Sequence, residues 1–69
     1  MVEVFKTDIQ QHDQAQHLGI ILQRHFPACR IVFDLDDCDR ILKISGYGFD
    51  AGAVQNLVKS QGFFCEALE

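Results

Sequence analysis

Sixty-nine residues with ten acidic and six basic side chains, a formal charge of −4 and a 48% hydrophobic content make one domain with material for a single core. Disorder is disfavoured, since its signature is low hydrophobicity with high net charge and neither holds here. Nucleic acid and anionic membrane surfaces are disfavoured as partners, because Lys6, Arg24, Arg30, Arg40, Lys43 and Lys59 are scattered along the chain instead of clustered.

Val2–Thr7 alternates with the period of a strand, and its two valines, Val2 and Val4, are expected toward the core, which leaves Phe5 on the opposite face. Polar Asp8–Asp13 leads into a helix that starts within residues 9–13. Asp8 and Gln11 have capping-box spacing, and Gln10 or Gln11 can equally precede the first turn. Ala15, Leu18, Leu22 and Phe26, with Ile21 alongside, recur at three- and four-residue spacing and form the buried stripe. Gly19 weakens this helix by about 1 kcal/mol relative to Ala and leaves room for close packing on the sheet. Pro27 ends it, because proline disfavours helical geometry at Phe26 and has no backbone N–H.

The second strand sets Ile31, Phe33 and Leu35 on one face against Val32 and Asp34 on the other, and Asp36–Asp39 makes the turn. The third, Arg40–Ser45, puts Leu42 and Ile44 toward the core and Ile41 and Lys43 away from it. Gly46–Gly48 breaks the strand. Asp50 is a good N-cap for a second helix with Val54, Leu57 and Val58 as its buried stripe. Gly62 supplies the left-handed position after that helix, with Phe63 packing back on the last turn, and Phe64–Leu68 closes as a short strand. Strand–helix–strand–strand–helix–strand predicts an α+β, ferredoxin-like βαββαβ domain: a four-stranded antiparallel sheet with two helices on one face and right-handed crossovers.

From Phe26 onward the chain resembles the heavy-metal-associated domain family, the small ferredoxin-like modules of copper chaperones and metal-transporting ATPases. The residues that carry the resemblance are Phe26-Pro27, Ile31-Val32-Phe33-Asp34-Leu35, Ile41-Leu42-Lys43-Ile44-Ser45-Gly46, and Val54, Leu57, Val58, Gly62 and Phe63. They cover about two thirds of the chain and are positions that determine fold. In that family a Met-x-Cys-x-x-Cys loop between the first strand and first helix holds a soft cation through two thiolates. Here the corresponding window, residues 9–15, is Ile-Gln-Gln-His-Asp-Gln-Ala. Ile9 can replace the methionine as an apolar plug, and nothing replaces the sulfurs. The resemblance therefore implies the fold without the family's metal site, and no cofactor is expected.

Other ligand sets are thin. His12, Asp13 and His17 lie where the family's metal would sit, but His12 and His17 are five apart, roughly 140° around a helix, and diverge if both are helical. Asp34, Asp36, Asp37 and Asp39 lack the spacing and distal Glu of a calcium loop, so a solvated turn is expected. Cys29, Cys38 and Cys65 match neither a CxxC nor a Cys/His zinc pattern, which favours reduced thiols; Cys38, at the turn, is the one expected to be open to oxidation or intermolecular coupling. Cys29 and His25 are separated by Pro27, with no visible orienting group or oxyanion donor. Gly46-Tyr47-Gly48 lacks the further Gly, Lys or Ser/Thr of a phosphate loop.

The most suggestive pattern is the sheet face left bare of helices. Strand alternation places Phe5, Val32 and Ile41 there, with Cys65 beside them, among Glu3, Asp34 and Lys43, and an apolar patch of this kind usually marks a partner interface. The expectation is a small non-enzymatic module that contacts a protein partner or a second copy of itself, with no nucleic acid and no membrane. The alternative is a metal-ion binding or transfer protein using His12, Asp13 and His17. With no apolar run near the ~20 residues of a membrane span and no signal-peptide pattern, the chain opening at Met1 reads as a complete cytoplasmic protein.

Overall fold

In the computed structural model, which describes residues 1–68, the elements run β1 (Val2–Thr7), α1 (His12–His25), β2 (Arg30–Asp34), β3 (Ile41–Ser45), α2 (Ala51–Ser60) and β4 (Cys65–Leu68). The four strands form one antiparallel sheet in the order β2-β3-β1-β4. The fold is therefore ferredoxin-like. α1 packs on β2, α2 on β4, and the two helices touch. The core lies between them and one face of the sheet: Phe5, Ile9, Leu18, Leu22, Leu42, Ile44, Val54 and Val58 are all fully buried. Among the described residues no helix is long and apolar enough to cross a membrane.

Local chemistry accounts for the ends of the elements. α1 begins after Gln11, whose N–H donates to the Gln14 side-chain oxygen at 3.2 Å; the reciprocal pair is thus Gln11 with Gln14, one turn later than Asp8 with Gln11. The helix stops before Pro27, with the Phe26 N–H on Leu22 O at 2.8 Å. Asp50 caps α2 by accepting from Gly52 N. At the other end Gly62 has φ +93, its N–H reaches Lys59 O, and the Phe63 N–H reaches Val58 O. These are the two bonds of a Schellman stop. β3 starts at Ile41, since Arg40 sits at φ +48 and closes the acidic turn in left-handed geometry. That conformation is held from three sides: Arg40 N–H donates to Asp37 O, its guanidinium to Leu35 O, and its carbonyl accepts from the Thr7 hydroxyl.

One face assignment is reversed. Phe5, expected on the open face, has 0% exposure and lies between Leu42 and Ala67 on the helix-covered side. Val2 and Val4, expected in the core, take the open side, where Val2 is 58% exposed. Cys65 likewise belongs to the covered face, opposite Thr7, and is buried. The cause is register. β1 pairs with β3 so that Phe5 stands opposite Leu42 and Val4 opposite Lys43, and a slip of one residue would exchange every side chain between the faces. Burying Phe5 together with Leu42 and Phe33 in one cross-strand row removes more apolar surface than burying two valines at the chain end.

Candidate functional site

The open face can be read row by row from the strand register. The central row crosses all four strands as Val32, Lys43, Val4 and Leu68. On one side of it lie Arg30, Ser45 and Val2; on the other lie Asp34, Ile41, Lys6 and Glu66. Among the described residues no helix covers this surface. Val32 is 43% and Leu68 37% exposed, while Val4 and Ile41 are half-buried by their neighbours. Phe64, just before β4, is also exposed. Of the three residues expected here, Val32 and Ile41 are in place and Phe5 is not. Val2, Val4 and Leu68 are the apolar members sequence reasoning missed, because their face is set by the pairing of β1 with β3 and β4, which the sequence does not display.

Charges on this face are interleaved with the apolar groups. Lys6 Nζ lies 3.6 Å from Asp39 Oδ1 in a partly exposed pair, an arrangement worth at most about 1 kcal/mol.

The proposed metal ligands fare differently. Asp13 and His17, one helical turn apart on α1, line an open groove of about 370 Å³ with Gln14, Leu18, Gln61 and Phe63. His12 is not part of its wall. Both acceptors nearest the helix start are engaged, Asp13 Oδ1 by Gln14 N at 2.9 Å and Gln14 Oε1 by the N–H groups of Gln10 and Gln11. Ile9, in the loop before α1, is fully buried. Among the described residues the one group of three His, Cys, Asp or Glu side chains whose ligand atoms lie within 4.8 Å is Asp37, Cys38 and Asp39, so His12, Asp13 and His17 do not converge. Asp37 Oδ1 is already taken by the Asp39 N–H and Asp34 Oδ1 by the Asp36 N–H, which makes the turn a set of self-satisfied acidic residues.

All three cysteines carry free thiols. Cys38 is exposed, as expected; Cys29 is buried and directs Sγ to Tyr47 O at 3.3 Å. Burial pushes the Cys65 thiol up to about 11, opposed by the nearby Lys59 charge, so Cys65 is protonated at neutral pH and a poor nucleophile. No family model, curated protein or solved structure matches this chain.

Proposed function

We propose that this chain is a non-enzymatic, cytoplasmic protein-binding module that works through the open face of its sheet, built like a heavy-metal-associated domain without the paired thiolates. The observation that carries this reading is the uncovered row Val32, Lys43, Val4 and Leu68, bordered by Val2 and Ile41. Its apolar residues Val32, Val4 and Leu68 share one row with Lys43 among them, and Val2 and Ile41 lie in the rows beside it, a grouping that favours a partner interface over singly exposed residues. Interleaved positive and negative groups suit a protein surface better than a polyanion. Replacing Val32 and Ile41 with Lys should abolish association seen by sedimentation of the pure protein or by co-purification from cell extract. If the native chain sediments as a monomer at working concentration and the double variant changes no association in extract, the reading is wrong.

The metal reading keeps one favourable observation, the shared groove of Asp13 and His17. Titration with Zn(II), Cu(II) and Ni(II) while following the histidine NMR signals decides it. No saturable shift at micromolar metal removes it.

A further inference from the structure

The sheet ends in two edge strands, β2 and β4. β2 reads Arg30-Ile31-Val32-Phe33-Asp34, with opposite charges at its two ends, equidistant from Val32 and on the same face. Among the described residues no hydrogen bond outside the ladder to β3 engages the backbone of Arg30–Asp34, so alternate N–H and C=O groups point outward without a protein partner. Ile31 and Phe33 stand opposite the fully buried Ile44 and Leu42 yet remain only half-buried, because the sheet stops beside them. The flank of α1 above this edge is marked by Gly19, which faces the Phe33 ring, and by Gln23, whose Nε2 donates to Cys29 O at 2.8 Å. Ile20, next to Gly19 and three residues before Gln23, borders that flank and is 50% exposed.

We propose that the outer edge of β2 pairs antiparallel with the same strand of a second copy, about a two-fold axis through Val32, joining two sheets into one of eight strands. In this register Arg30 stands opposite Asp34 of the partner subunit, and the two-fold repeats the pair. Ile31 meets the partner subunit's Phe33 on the helix side and completes the burial that the sheet edge leaves unfinished. Val32 meets its own copy on the axis, and Ile20 comes toward the seam from above.

β4 cannot do the same. Its sequence is Cys65-Glu66-Ala67-Leu68. Self-pairing centred on Glu66 opposes two carboxylates, and centring between Glu66 and Ala67 brings no opposite charges together. The N–H of Phe64, at the head of this strand, is already bonded to Asp8 Oδ1 at 2.8 Å. Of the two edges only β2 is complementary to itself. The paired surface is the backbone edge of β2, which shares Val32 with the open-face row; charge changes at Arg30 and Asp34 that leave Val32 in place test the edge apart from the proposed function. Five residues of strand and one helix flank make a small interface, and the dimer should dissociate on dilution.

Sedimentation equilibrium from micromolar to millimolar protein, in reductant at low salt, tests this with Arg30→Asp, Asp34→Arg and the combined swap. The native chain should approach twice its 7.8 kDa mass at the upper end. Each single variant turns two attractive pairs into two repulsive ones and should weaken the dimer about tenfold or more, while the swap should return it to within about threefold of native. Circular dichroism establishes that each variant is folded, and Asn56→Lys, exposed on α2 and away from both the β2 edge and the open face, should dimerise like the native chain. A native chain that stays monomeric to millimolar, single variants without effect, or a swap that recovers nothing would each overturn the proposal. Should the charge variants not fold, Val32→Cys in a Cys38→Ser background decides: residues facing each other across an antiparallel pair have Cα atoms about 4.5–5.5 Å apart, within the span of a disulfide. It should cross-link under mild oxidation much faster than Asn56→Cys in the same background, and equal rates sink the proposal.

Discussion

The two faces of the sheet come from the same four strands and meet different demands. On the helix-covered side Phe5, Leu42, Ile44 and Cys65 lose essentially all exposure; of the polar members, Thr7 is buried with its hydroxyl bonded to Arg40 O and accepting from Ile9 N, and Glu3, expected on the bare face, stands opposite Ile44 on this side and is half-buried. On the open side valines and leucine alternate with Lys43, Lys6, Asp34 and Glu66, and none is fully buried. The contrast teaches that composition does not decide which face of a strand is the core. β1 carries two valines outward and one phenylalanine inward, and the pairing of that strand with β3 selects between them.

The contrast breaks most sharply at Phe5. Phe5→Ala should cost about 3–5 kcal/mol, enough to unfold much of a domain this small, whereas Val2→Ala should stay within about 0.5 kcal/mol. Urea melts of both variants measure this, and similar losses would mean the faces are not distinct. The next effect is a pH dependence confined to the covered face. The Cys65 thiol ionises at 9.0 when unfolded and near 11 when folded, because burial disfavours the thiolate. The unfolded chain therefore loses this proton first as pH rises, and stability is full below pH 9 and falls between 9 and about 11. The loss approaches roughly 2–3 kcal/mol. Subtracting the curve of Cys65→Ala isolates it, and a parallel decline in both proteins would refute the assignment.

Much of the fold was legible because its boundaries are chemical. Pro27, Asp50 and Gly62 each impose a specific backbone event, and each event occurs where the residue stands. Helical stripes were legible too, since Ala15, Leu18 and Leu22, or Val54 and Val58, repeat at a period that only one structure satisfies. The open face was legible only in part. Val32 and Ile41 lie in a hairpin whose turn fixes their parity, but β1 meets β3 from far along the chain, and a strand six residues long offers both of its faces equally until a partner is known. The lack of ligand convergence was legible from spacing, because His12 and His17 both fall within α1 and five residues set them roughly 140° apart around it.

A smaller effect concerns how the covered face stays covered. Asp50→Ala removes the acceptor for Gly52 N and should cost about 1 kcal/mol. Hydrogen exchange should quicken in α2 and along β4, on which α2 packs, more than in the β2–β3 hairpin. Uniform acceleration across the sheet would show that the domain opens only as a whole and that α2 has no separate role in covering it.

The smallest expected effect lies at the centre of the open face. Val32 stands directly opposite Lys43 and, on its own strand, midway between Arg30 and Asp34, so those two charges nearly cancel at its position. A charge placed at residue 32 therefore reports chiefly on Lys43. Val32→Glu should be close to neutral for stability and Val32→Lys slightly destabilising, the two separated by about 0.5 kcal/mol through the cross-strand pair. The separation should shrink in high salt, because the pair is solvent-exposed and screened. Melts run at micromolar protein keep the measurement free of any association. A separation of several kcal/mol that salt does not reduce would mean that this side of the sheet is enclosed, and that the two faces are less different than their exposure implies.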